Sequence, residues 1–269
     1  MNISELQKVA KNVRVNIIES VAAAKSGHPG GSLSVADILT VLYFDKMDID
    51  PKKPKMEDRD RLVLSKGHVA PALYSVLAER GYFPKQELIK LRKVNCMLQG
   101  HPDMKSTPGI DMSTGSLGQG LSVANGMALT AKLNKKDYKI FAILGDGEVQ
   151  EGQVWEAALA APNFKLNNLI VFVDYNKMQL DGTLNDIVKM DPMDKKWEAF
   201  GWFTQTVNGH DLEEIHNAIE KGKKQDKPIL IVLDTIKGKG VKAIEESGYK
   251  NHSMGLTDEQ MKKAIEDLM

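Results

Sequence analysis

Residues 139–147 read KIFAILGDG, and residues 168–178 read NLIVFVDYNKM. Each is a short apolar run, rich in β-branched residues, that ends in a polar turn: Gly145-Asp146-Gly147 in the first, Asp174-Tyr175-Asn176-Lys177-Met178 in the second. Runs of this kind, bounded by turn residues, read as strands buried on both faces. Residues 202–207 and 228–235 repeat the pattern, and helical spacing fills the gaps at 153–161, 192–200 and 211–221. Strands alternating with helices predict an α/β fold, a parallel sheet with helices on both faces.

Outward from this core, Ser4 and Gln7 have the spacing of a capping box, and Leu6, Val9, Val13, Ile17, Val21 and Ala24 follow at helical spacing. A second helical stretch is expected over 34–44, an exposed loop over 48–60, a short strand over 62–64 and a helix over 71–80. Thr257 and Gln260 open a last helix with Met261, Ala264, Ile265 and Leu268 on one side. No linker divides the chain, so residues 1–269 read as a single domain.

The 269 residues are 42% hydrophobic, enough for one large core. Lys and Arg number 36 against 36 Asp and Glu, and a zero net charge argues against a nucleic-acid binder. No apolar run approaches the roughly 18 residues that span a bilayer. The polar N-terminus is unlike a secretory signal. Cys96 is the only cysteine, which excludes an internal disulfide framework and points to a reducing cytoplasm.

Ligands of such sheets sit beyond the carboxyl ends of the strands. The glycines of Gly145-Asp146-Gly147 let backbone approach a ligand closely. Adjacent parallel strands would place Asp146 and Asn176 on neighbouring loop tips. One carboxylate, one amide oxygen and a backbone carbonyl, that of Met178, suit a hard cation completing its shell with water and phosphate oxygens. That is magnesium chemistry, with calcium or manganese as substitutes; a βα turn without a ligand is the plainer reading. STGSLGQG, residues 113–120, opens a helix running to about residue 133 and reads as an anion site or as tight packing of a helix start. No Gly-Lys-Ser/Thr follows, which excludes a P-loop, and no GxGxxG follows an early strand with an acid about 20 residues on, which disfavours a dinucleotide fold. Glu151 suits the positive end of a helix macrodipole. His28, His68, His101 and His252 fall in expected loops, where imidazole can donate and accept near neutral pH. His210, before a helix capped by Asp211, and His216, within that helix, look structural.

Asn176 lies 30 residues after Asp146, and Gly145-Asp146-Gly147 with that asparagine resembles the thiamine diphosphate fingerprint. The flanking GDGEVQEG (145–152) and DYNKMQLDG (174–182) resemble the transketolase family. So do SGHPGG (26–31), SKGH (65–68), GHPD (100–103) and STGSLGQG, and the resemblance extends over almost the whole chain. It implies a thiamine diphosphate-binding fold of the diphosphate type, with Gly145, Asp146, Gly147 and Asn176 at the cofactor and its cation. It further implies that His28 faces the reactive carbon and substrate oxygens, that His68 contacts the diphosphate, and that His101 holds the hydroxymethyl end of a donor ketose. Gly115 and Leu117 would line the thiamine's central region, and Leu180 would support the thiazolium. Glu151 would reach across a dimer interface to the carboxylate that activates the cofactor. Lys237-Gly238-Lys239-Gly240 resembles the family's glycine pair there; beyond it the family's His-Gly pair is replaced by Asn251-His252-Ser253-Met254-Gly255, leaving His252 as the candidate substrate-facing histidine.

In enzymes that resemble this chain the activating glutamate comes from a pyrimidine-binding domain lying beyond the equivalent of Met269. The resemblance therefore implies the cofactor-binding subunit of a split, cytoplasmic transketolase of pentose phosphate type. Two such chains would join two partner chains carrying the pyrimidine-binding and C-terminal domains. The assembly would transfer a two-carbon ketol unit from a ketose to an aldose, either of them phosphorylated. The alternatives are a deoxyxylulose phosphate synthase-like enzyme, a transketolase for an unusual sugar, and a non-catalytic scaffold subunit.

Overall fold

A computed structural model describes residues 1–269 apart from the side chain of Asn251. Among the described residues five strands form one parallel sheet: β1 Arg61–Leu64, β2 Ile140–Gly145, β3 Leu169–Tyr175, β4 Phe203–Asn208 and β5 Ile229–Asp234. Their order in space is β1-β2-β3-β5-β4, so β5 inserts between β3 and the edge strand β4. The register pairs Gly145 with Asp174 and Tyr175 with Asp234. The loops after β2, β3 and β5 therefore leave the sheet side by side.

Side chains alternate across the strands, as a period of two requires. Phe141, Ile143, Phe172 and Ile231 enter one core; Ala142, Leu144, Val171 and Val232 enter the other. The first face is covered by α1 Ile3–Ala24, α2 Pro29–Ser34, α3 Ala36–Val41 and α4 Ala70–Arg80. The second is covered by α5 Gly120–Leu133, α6 Gly152–Asn163, α7 Leu184–Ile187 and α8 Met193–Ala199. α9 Leu212–Gly222, α10 Lys242–Glu246 and α11 Asp258–Leu268 return to the first face. The α/β architecture expected from the strand runs is the one observed.

Two local expectations need correction. α1 is capped not by Ser4 and Gln7 but by Asn2 and Glu5, which exchange backbone and side-chain hydrogen bonds of 2.9 Å. Asparagine is as good an N-cap as serine, and the earlier start leaves Ser4 inside the first turn. The helical stretch expected over 34–44 is broken: α2 ends at Ser34, α3 ends at Val41, and a π-helical turn Leu42–Lys46 follows. Pro29 at the first helical position starts α2 early, since it has no N–H to leave unpaired. Asp211 caps α9, and Thr257 with Gln260 forms the capping box of α11, as the spacing indicates. Among the described residues no helix is long and apolar enough to cross a membrane.

Candidate functional site

At the carboxyl edge of the sheet the loops enclose a cleft of about 320 Å³. Asp146, Asn176 and Met178 line it together with His68, Leu117, Leu180 and His252. Asp146 is 2% exposed; its Oδ1 accepts from Gly147 N at 2.8 Å and its Oδ2 from Lys177 N at 2.6 Å. Burial lifts its carboxyl to about 7, and the neighbouring Asp174 adds to the rise. The two backbone donors act in the opposite sense. Asn176 donates from Nδ2 to Asp174 at 3.0 Å, which fixes its amide so that Oδ1 is the acceptor end. Met178 N donates to that oxygen at 3.1 Å.

Asp174, fully buried, ties four segments together. Its Oδ2 accepts from Lys66 Nζ at 2.5 Å and from Ser34 Oγ at 2.6 Å, and its Oδ1 accepts from Thr235 Oγ1 at 2.5 Å. Burial pushes this carboxyl up, but Lys66 and the hydroxyl donors outweigh it and hold it below the usual carboxylate range. Glu148 is a second buried tie: Ser65 Oγ at 2.5 Å and Gly118 N at 2.9 Å both donate to its Oε1, and Gly145 N donates to Oε2 at 3.0 Å. It thereby fastens the SKGH, STGSLGQG and GDG loops to one another. Lys237 enters the cleft from the loop after β5, 3% exposed. Burial, then the charge of Lys66, draws its ammonium down to about 8, with Asp146 and Asp174 resisting.

Three histidines form a cluster above these charges. The ring centroids of His28 and His68 lie 5.1 Å apart, those of His68 and His252 5.1 Å, and those of His28 and His252 5.5 Å. Burial, then Arg92, draws His28 down to about 4; burial, then Lys237, does the same to His252. His68 is held well below the ordinary range by burial and then by Lys66. His101, lowered by burial and Arg92, is exposed and sits against Gly115, where a Cβ would stand 3.3 Å from the imidazole. Each of these shifts favours the neutral ring, which can both donate and accept.

Leu117 and Leu180 are 39% and 59% exposed at the cleft mouth, beside the exposed Glu151. Gly118 packs directly on Glu151: its φ is +81°, and a Cβ there would stand 2.8 Å from Glu151 Cβ.

Comparison with known proteins puts this geometry in a family. Residues 5–268 match the model of the transketolase thiamine diphosphate-binding domain. The chain belongs to the transketolase family. It is 48% identical over 265 residues to the 6-deoxy-6-sulfo-D-fructose transketolase subunit of Clostridium sp. (strain MSTE9), covering 98% of this chain and 96% of that one. It is 40% identical over 271 residues to one of the subunits of the apulose-4-phosphate transketolase of Phocaeicola vulgatus, covering 100% and 95%. The crystal structure of the Campylobacter jejuni transketolase superposes with a TM-score of 0.93 at 37% identity, over all of this chain and 43% of that one. The chain thus has the length of the transketolase subunits and less than half that of the Campylobacter enzyme.

As a transketolase-family domain the chain brings Asp146, Asn176, Met178, Gly145, Gly147, His68, Leu117, Leu180, Glu151 and His252 to one cleft. His28 joins through its ring contacts. Gly115 and His101 stand together, and neither is part of the lining. His210 and His216 lie elsewhere, paired with Asp37 and Asp45. Reading the sequence motif by motif missed four charged groups: Lys66, Glu148, Asp174 and Lys237. Each stands inside or beside a motif that was read for another residue, and for Lys66 and Lys237 the available signal was a lysine just after a strand and directly before a glycine.

Gly118→Ala is expected to cost about 1–2 kcal/mol, the penalty of a left-handed conformation for a residue with a Cβ, and to displace Glu151. Thermal unfolding checks the first effect. An unchanged midpoint would show that the loop relaxes without strain.

Proposed function

We propose that this chain is the thiamine diphosphate-binding subunit of a heteromeric transketolase that moves a two-carbon ketol unit from a ketose to an aldose. The observation that carries the reading is the convergence, at one cleft, of the Asp146 carboxylate and the oriented Asn176 amide oxygen with two buried ammonium groups, Lys66 and Lys237, and with the imidazoles of His68 and His252, which His28 joins through ring contact. The donor chemistry fits a diphosphate held by a divalent cation. Asp146, Asn176 and the Met178 carbonyl would take the cation, for which magnesium suits a site so sparing in protein ligands. Lys66 and Lys237 offset the diphosphate's negative charge, and His68 offers it a neutral donor. When bound, thiamine diphosphate supplies a nucleophilic carbon that can accept and release the ketol unit.

The chain's own residues then bind and orient substrate. His28 and His252, neutral and within ring contact, can take or give a proton at substrate hydroxyl and carbonyl oxygens. His101, packed against Gly115, would hold the hydroxymethyl end. The exposed Leu117, Leu180 and Glu151 at the mouth support a partner chain covering it, one that brings the pyrimidine-binding domain and its activating glutamate. Two copies of each chain would make the assembly. The names of both split relatives include a ketose with a strongly acidic group, sulfonate or phosphate. They favour a specialised ketose carrying such a group as substrate.

Calorimetric titration of thiamine diphosphate with magnesium, into the chain alone and then with its partner, tests the proposal. Weak binding alone that becomes tight with the partner is expected, as is loss of activity on chelation. Full turnover by the isolated chain, or no binding even with the partner, would sink it.

A further inference from the structure

The loop that carries Lys237 into the cleft is gripped from behind by side chains that do not line the cleft. We propose that Arg14, Asp37 and His210 form a clamp for this loop, with Asp37 and His210 acting as positioning residues for the Lys237 ammonium group. The proposal rests on the cofactor reading above for the use to which that ammonium is put.

The grip brackets Lys237 on both sides. Before it, Ile236 N donates to His210 Nε2 at 2.9 Å; after it, Arg14 Nε donates to the carbonyl of Lys239 at 3.2 Å. Between these, Gly238 N donates to Gly30 O at 2.9 Å, which joins the loop to the segment that follows His28. Gly238 has a φ of +89°, and a Cβ there would stand 2.7 Å from Ile244 Cγ2, so the turn has little room to rearrange.

Asp37 sets the chemistry of the grip. It takes two hydrogen bonds from Arg14, 3.0 Å to Nη1 and 2.5 Å to Nη2, and lies 2.8 Å from His210 Nδ1. A backbone N–H can only donate, so His210 Nε2 must be an acceptor and the ring proton must reside on Nδ1, directed at Asp37. The carboxylate thus selects the tautomer, and the tautomer supplies the acceptor that Ile236 needs. The Arg14 and His210 side chains are each 10% exposed and that of Asp37 6%, so water competes little for these bonds. The three residues come from α1, α3 and the turn between β4 and α9, and they line a separate open groove rather than the cleft. A mere tie between those elements would not require the histidine to hold the backbone one residue before Lys237.

Amine acylation of the full chain, followed residue by residue by mass spectrometry, tests the clamp without any cofactor. Lys237 and Lys66 are 3% and 2% exposed, so both should label slowly in the natural protein. In His210→Leu, labelling of Lys237 is expected to rise by about an order of magnitude, as for a locally opened segment, while Lys66 stays protected. His210→Gln, whose amide oxygen can take the place of Nε2 as acceptor, should restore protection. Unchanged labelling of Lys237 in His210→Leu would overturn the clamp, and so would a parallel rise at both lysines. Titration of thiamine diphosphate and magnesium into the complex with its partner supplies the second arm. His210→Leu should weaken binding by about 10-fold, the scale of an outer-shell partner, and should add no further loss in a Lys237→Met background. An equal loss in both backgrounds would overturn the clamp. A natural complex that binds no thiamine diphosphate would overturn the cofactor reading, while the labelling result still decides the clamp.

Discussion

Asp146→Asn will lose thiamine diphosphate and magnesium binding by more than about 100-fold, beyond the range seen when only an outer partner of a metal ligand is removed, yet will unfold no more easily than the natural chain. The two halves of this expectation have one cause. Asp146 is buried, and its carboxylate stands near that of Asp174, so its charge is costly to the chain without ligand. A bound cation would offset that cost, which would make the charge a property of the site rather than of the fold. Asparagine keeps the shape and one of the two acceptor oxygens now engaged by Gly147 N and Lys177 N. It removes the like-charge repulsion while surrendering the anionic ligand. Thermal unfolding and calorimetric titration of the complex with its partner check the two halves separately. Retained affinity would remove Asp146 from the cation site; a large drop in unfolding temperature would make it a structural residue.

The contrast between Asp146 and Asp174 shows where sequence reading reaches and where it stops. Strands β2 and β3 were legible because parallel strands buried on both faces are continuous apolar runs, and each is followed directly by a residue that lines the cleft, Asp146 or Asn176. Adjacency of those strands then suffices to bring the two side chains together. The role of Asp174 is of another kind. It depends on Ser34, Lys66 and Thr235 arriving from α2, from the loop after β1 and from the end of β5. That meeting follows from a sheet order in which β5 sits beside β3, which no local spacing states. Lys237 was hidden for the same reason: its loop reaches the cleft only because β5 lies beside β3. The cap of α1 failed differently. Asn2 with Glu5 and Ser4 with Gln7 are both plausible boxes, and their local energies are too similar to decide. The break in the stretch over 34–44 was likewise invisible to periodicity, because α2 and α3 are buried on nearly every side and show no polar face.

Lys66→Met is expected to destabilise the chain by about 3–5 kcal/mol, the loss typical of removing one member of a buried ion pair. At roughly 2–4 °C per kcal/mol for a domain near this size, the unfolding midpoint should fall by on the order of 10 °C. Lys66 and Asp174 have side chains only 2% and 0% exposed, so the orphaned carboxylate cannot turn to water. Ser34, Thr235 and Asn176 would still donate to it, which places the loss nearer the lower end of that range. The double variant Lys66→Met, Asp174→Asn separates the fold from the site. With no charge left unpaired, most of the lost stability should return, and the coupling between the two positions should appear as a large interaction energy in a double-mutant cycle. Cofactor binding should not return with it. The asparagine no longer offers two acceptor oxygens to the groups around it, so the amide of Asn176 loses the partner that turns its oxygen outward, and the cleft lacks one of its two ammonium groups. A double variant that recovers both stability and binding would show that this buried pair serves only the fold. One that recovers stability alone would show that the chain retains a buried charge pair because its ligand site requires it.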